Sequence, residues 1–200
     1  MGELLDKFSV KKVYFRDRVF EKEGLLERID HLAKYLGANF ISGSPFVLLS
    51  AYNHIKALIA FYAILKAGKI ALIVNPGTKS IEFSEMVKDT DPAALILPDP
   101  HTLDFKYEEE IIFREPDPGF TVKSDLTDVC LLAYTNAEDG YAKGAMILEK
   151  NLVTAINAYK TIDNLSIKNT TCPLLPFHHL FGIIQVIFRT VITMVHTFSI

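Results

Sequence analysis

The chain has 200 residues, half of them hydrophobic and 22% charged, the balance of a globular protein with a rich core. Its 21 basic and 24 acidic side chains leave a net charge of −3, so there is no basic surplus for phosphate-backbone contacts and nucleic acid is not expected as a partner. The start, Met-Gly-Glu-Leu-Leu-Asp, lacks the cationic-then-apolar order of a secretion signal, and Asp6 stands where a myristoylation motif needs Ser or Thr. The expected compartment is the cytoplasm.

In chain order, Lys12 to Phe15 reads as a short strand. Glu21 to Leu36 places Leu25, Ile29, Leu32 and Leu36 on one helical face, with Gly37 as the expected stop. Phe46 to Ser50 is a buried strand, Asn53 to Ala67 a largely apolar helix closed by Gly68, and Lys69 to Val74 a second strand ended by the turn Asn75-Pro-Gly77. Ser80 to Lys88 makes a short helix and Ala93 to Leu97 a third strand. Residues 98–128 are rich in Pro, Asp and Glu, with Ile111 to Phe113 as their one strand, and read as a surface excursion between two halves. Then come a strand at Val129 to Ala133, a small-residue loop, a helix from Asn151 to Asp163 and a strand at Thr171 to Leu175. A helix at Leu180 to Thr190 and a strand at Val191 to Ile200 complete the chain.

Continuously apolar strands alternating with helices predict an α/β fold: a mainly parallel sheet flanked by helices on both faces. Right-handed crossovers then align the strand-to-helix loops along one edge, where such sheets bind ligands. Two long apolar stretches, residues 54–75 and 183–200, are interrupted by Lys56, Lys66 and Lys69 and by Gln185, Arg189 and His196. A membrane span needs ~20 nearly uncharged residues, so buried core accounts for both better and no transmembrane segment is expected. Cys130 and Cys172 lie in apolar strand-like runs; a disulfide is conceivable, but two buried thiols are the preferred reading. The triplets at Asn164 and Asn169 match the glycosylation pattern and, without a secretion signal, are read as chance.

The stretch from Tyr134 to Leu152 carries the most chemistry. Read as strand, loop and helix, it would aim backbone N–H groups and a helix N-terminus at one point, the arrangement by which α/β proteins hold phosphate. It is not a Walker A loop, because the glycine spacing before Gly-Lys-Ser/Thr is absent, so a kinase or GTPase has no support. Neither cysteine has a partner base in the sequence frame, so a thiol nucleophile has none either.

Without a gap, this stretch resembles the phosphate-loop signature of the acyl-adenylate-forming enzymes, Tyr-Thr-Ser-Gly-Thr-Thr-Gly-x-Pro-Lys-Gly-Val-x-Leu-Thr-His-x-Asn-Leu. Thr135, Gly140, Lys143, Gly144, Asn151 and Leu152 match; Asn136, Ala137, Glu138, Asp139, Ala142 and Glu149 depart. Leu175-Pro-Phe-His-His-Leu-Phe-Gly182 is similar to the family's Leu-Pro-x-x-His-x-Phe-Gly segment, at the family's spacing. A weaker likeness runs from Asn53 to Asp91. The three segments together identify nearly the whole chain, from Tyr14 to Ile200, as the N-terminal part of an AMP-binding large domain whose C-terminal parts are absent.

The resemblance implies ATP and Mg2+ as cofactors, with a carboxylic acid and a CoA or carrier-protein thiol as partners. It implies Thr135, Asn136, Ala137, Gly140, Lys143 and Gly144 around the nucleotide, and His179 and Phe181 at the acyl group. No residue of this chain is implied as catalytic: the adenine and magnesium segment, the ribose carboxylate and the late lysine of the family lie beyond it. Lys143 could pair with a phosphate or be a solvated loop lysine. Glu138 and Asp139 replace hydroxyl donors with groups that only accept when ionised, and a like-charge pair at ~4 Å costs about 1 kcal/mol even in water. They could instead hold Mg2+, which takes oxygen ligands; simple loss of ATP binding is the preferred reading. The His178–His179 pair has no further ligands spaced for zinc, and His178 has no assigned role.

Two functions are therefore carried forward. One is an AMP-forming acid–thiol ligase of the acyl-CoA synthetase type, of which this chain is a fragment inactive on its own. The other is a non-catalytic relative that uses the fold for binding or assembly. Because the last strand and the helix before it end the chain with apolar surface, a homo-oligomer formed through them is expected.

Overall fold

The structure, a computed structural model, describes residues 3–41, 43–105, 107–115, 117–121, 125–134, 143–163, 170–171, 175–185 and 195–198, with backbone alone for 159–163, 170–171 and 195–198. Its helices are α1 (Glu3–Asp6), α2 (Lys22–Asn39), α3 (Ile55–Lys66), α4 (Ser80–Thr90) and α5 (Glu149–Asp163). Its strands are β1 (Lys12–Phe15), β2 (Arg18–Glu21), β3 (Phe46–Ser50), β4 (Ile70–Val74), β5 (Ala94–Ile96), β6 (Ile111–Phe113), β7 (Val129–Tyr134), β8 (Gly144–Leu148), β9 (Thr170–Thr171) and β10 (Val195–Phe198).

The central sheet has the order β6-β5-β3-β4-β7-β8. Its four inner strands run parallel, and the edge strands β6 and β8 are antiparallel to their neighbours. Both faces are covered, which explains the unbroken apolar runs. Val47 and Leu49 of β3 pack into one core with α2 and α3, while Phe46 and Leu48 face a second core that includes Met86 of α4. Helix α3 is nearly encased, from Ile55 to Leu65. Gly68 then takes φ +73°, the left-handed backbone that closes a helix without Cβ strain.

Three expectations are corrected. Helix α2 runs through Gly37 to Asn39, and Phe40 ends it by turning into extended backbone; Leu36, buried at its end, anchors the last turn. The stretch before α2 folds as the hairpin β1–β2, with Arg16 at φ 54° in its turn. A second sheet, β2-β1-β10-β9, stands beside the central one, where a single sheet was expected. Within it β10 lies between β1 and β9, Lys12 opposite Val195 and Thr170 opposite Val195 on the other side. Strand β10 is paired along its whole length with β1 and at Val195 and His196 with β9.

Residues 98–128 supply edge strand β6 and a buried Tyr107. They are also tied into the core by charge. Lys56 on α3 is fully buried; its Nζ pairs with the Glu110 carboxylate and donates to Thr102 Oγ1 at 3.1 Å. The Tyr107 hydroxyl donates to the Lys56 carbonyl at 3.0 Å. At the end of α4, Asp91 in left-handed backbone accepts from Arg114 Nη1 at 2.9 Å and from the Asp117 N–H at 3.1 Å.

Candidate functional site

The parallel strands β3, β4 and β7 end side by side at Ser50, Val74 and Tyr134, and of the expected site residues Lys143, Gly144, His179 and Phe181 are among the described ones near this C-terminal edge. A cleft of about 390 Å³ opens beyond β3 and β4, lined by Tyr52, Asn53, Asn75, Pro76, Gly77, Pro176 and His178. Its rim at Asn75 is a tight turn, in which the Asn75 Oδ1 accepts from the Gly77 N–H at 2.8 Å.

The segment from Leu175 closes the cleft from the other side. Phe177 is 1% exposed and meets Phe61 edge-to-face at 6.1 Å. His179 is exposed, and its N–H donates to the Pro176 carbonyl at 3.1 Å as a helix begins over residues 180–185. A Cβ on Gly182 would stand 2.0 Å from the Pro176 oxygen, so that position needs glycine for the helix to pack on the turn. Sequence reasoning placed His179 and Phe181 at the acyl group. Both are on this edge and exposed, Phe181 at 48%. The histidine that lines the cleft is His178, its ring centroid 4.7 Å from that of His179. Burial, with the His179 ring beside it, holds His178 below the usual histidine value. Asn53 and His178 were not assigned a role from the sequence; the polar Tyr-Asn-His run after β3 was the available signal for the first.

One strand over, β7 and β8 form a hairpin with Tyr134 opposite Gly144. This corrects the strand–loop–helix reading. The loop joins two antiparallel strands, and helix α5 starts at the far end of the hairpin, where the Glu149 N–H donates to the Asp128 carbonyl at 3.0 Å. The helix dipole therefore does not point at the loop. Its first-turn Glu149 instead accepts from the Leu4 N–H at 3.0 Å, pinning α1. Lys143 and Gly144 sit at the hairpin mouth, both exposed. A Cβ at Gly144 would lie 3.2 Å from Leu132 Cδ1, so the backbone passes close to β7 there. Thr135, Asn136, Ala137, Glu138, Asp139 and Gly140 lie outside the described residues. For a triphosphate the loop sequence does not supply the family's donor set, because it carries two carboxylates in place of hydroxyls.

Two further ionisable groups, His54 and Cys130, are structural. His54 caps α3, its Nδ1 accepting from the Lys56 N–H at 3.1 Å, and burial holds it down to about 4. Cys130 is a free, buried thiol pushed up to about 12 by burial. Cys172 lies outside the described residues.

Such a scaffold, a parallel sheet with a cleft and a hairpin loop along its C-terminal edge, is an α/β fold of the kind that binds ligands at that edge. The family described as AMP-binding enzyme matches residues 13–195, and the chain belongs to it. It is 23% identical over 184 residues to "Probable CoA ligase CCL9" of Humulus lupulus, covering 80% of this chain and 35% of the relative. It is 29% identical over 117 residues to "Long-chain-fatty-acid--CoA ligase 2" of Schizosaccharomyces pombe, covering 58% of this chain and 16% of that protein. The ATP-bound MatB of Rhodopseudomonas palustris superposes with a TM-score of 0.78 at 18% identity, over 99% of this chain and 44% of that one. The chain thus spans about a third of the first relative's length. Among the described residues no helix is long and apolar enough to cross a membrane.

Proposed function

We propose that the protein is an AMP-forming acid–thiol ligase of the acyl-CoA synthetase type, cytoplasmic, that activates an acyl or aryl carboxylic acid and passes it to a CoA or carrier-protein thiol. The observation that carries this reading is the edge itself: the His178–His179 segment and its cleft lie at the ends of β3 and β4, one strand from the β7–β8 hairpin loop. Adjacent strands lie about 5 Å apart, so an acid in the cleft and a nucleotide at the loop would be near neighbours. In this reading His178 lines the acid in the cleft, His179 and Phe181 meet it from the exposed rim, and Thr135, Asn136, Ala137, Gly140, Lys143 and Gly144 surround the nucleotide, with Mg2+ carried by the nucleotide. Glu138 and Asp139 weaken that nucleotide site by acceptor–acceptor repulsion, and Lys143 alone does not offset them.

Calorimetric titration with Mg-ATP tests the loop. Millimolar or weaker binding is expected for the chain, and tighter binding for the double variant E138T/D139T. A low-micromolar dissociation constant for the unaltered chain would show that the two carboxylates face away from the phosphates. A double variant that still fails to bind would favour the second reading, a non-catalytic relative, for which the substituted loop is the specific observation.

A further inference from the structure

Asn53 stands just after β3 on the wall of the cleft, and both ends of its side-chain amide are engaged by a segment far along the chain. Its Nδ2 donates to the Leu175 carbonyl at 3.2 Å, and its Oδ1 accepts from the Phe177 N–H at 2.5 Å. The two partners flank Pro176, which has no N–H of its own to offer. We propose that Asn53 is a positioning residue, clamping the Leu175–Phe177 backbone so that the adjoining His178 ring is held over the cleft. This rests on the reading of the cleft as the acid site.

The chemistry of the clamp is specific to a carboxamide. One planar group supplies an acceptor and a donor at the spacing of a peptide, so Asn53 acts as a strand neighbour would for three residues that pair with no strand among the described residues. An aspartate keeps the shape but loses the donor and sets a carboxylate against the Leu175 carbonyl. A glutamine carries the fork one methylene further out. The other two anchors of the segment act differently. Phe177 fixes depth by filling the core beside Phe61, and Gly182 lets the following helix approach Pro176. Neither sets how the backbone is rotated about the turn; the Asn53 bonds do, and with the hydrogen bond of the His178 ring to the Ala51 backbone they hold that ring beside Asn75-Pro76-Gly77.

The test is histidine NMR on the 200-residue chain, with the His178 signals assigned by their loss in H178Q. In the unaltered chain His178 titrates below the ordinary histidine value. In N53A, and in N53D should N53A fail to fold, its midpoint rises toward that value while the His54 signals stay in place. Hydrogen exchange at the Phe177 amide gives a second readout, and loss of its acceptor in N53A speeds exchange on the order of tenfold. A folded variant in which the His178 titration is unchanged would overturn the positioning role, and so would unchanged Phe177 exchange in folded N53A. Neither measurement involves a nucleotide or an acid, so the ligase reading can fail without deciding this one.

Discussion

Replacing Lys56 by Met should be among the most damaging single changes to this chain. The Lys56 side chain is 0% exposed and that of Glu110 12%, so the pair sits where water is largely excluded. Glu110 Oε1 also accepts from the Asp99 N–H at 3.1 Å, while Lys56 Nζ reaches Thr102, so the ion pair ties α3 to the start of the 98–128 segment. Removing the cation leaves a buried carboxylate without its partner, a change that costs about 3–5 kcal/mol. At roughly 2–4 °C per kcal/mol for a chain of this size, the thermal midpoint should fall by roughly 6–20 °C. The double variant K56M/E110Q removes both charges and keeps an acceptor for Asp99, and should recover most of the loss. Thermal unfolding followed by circular dichroism at pH 7 reads both midpoints. A K56M midpoint within experimental scatter of the unaltered chain would refute the reasoning and class the pair with surface salt bridges worth about 0–1 kcal/mol.

Further outcomes follow from the same structure. His54, held down to about 4 by burial, stays neutral in the folded chain after the unfolded chain has taken up a proton. Its contribution is present above the ordinary histidine value of 6.5 and is lost as pH falls toward 4, by up to about 3 kcal/mol; H54N, which keeps a capping acceptor, should flatten that part of a stability–pH profile, and parallel profiles would contradict the assignment. The 200-residue chain should give no acid-dependent exchange of pyrophosphate into ATP with fatty or aromatic acids, since it spans only 35% of the hop ligase it resembles; measurable exchange would place the essential groups within this chain. F177A should destabilise the chain by about 3–5 kcal/mol, as deletion of a buried ring does, and a smaller loss in chemical denaturation would show that the Leu175 segment is not anchored through it.

Much of this architecture is written in local sequence. Strands β1 and β3 fall where the residue pattern puts them, and β3, β4 and β7 are legible because burial on both faces demands an unbroken apolar run. Helix α2 follows from 3.6-residue spacing, α3 from an apolar run too long for a strand, and Gly68 closes α3 because its left-handed backbone is a local necessity. The family is legible too, since its motifs are contiguous strings. What tertiary structure decided is pairing. Nothing in Gly144-Ala-Met-Ile-Leu148 separates a loop continuation from an antiparallel edge strand, because β8 exists through its partner β7 and leaves Met146 47% exposed. The second sheet brings Lys12 to Val195, and the Asn53 clamp spans more than 120 residues. Periodicity reports which face of an element is buried; it does not say which distant backbone will supply the hydrogen bonds, and that choice moved α5 away from the loop and set His178, rather than His179, over the cleft.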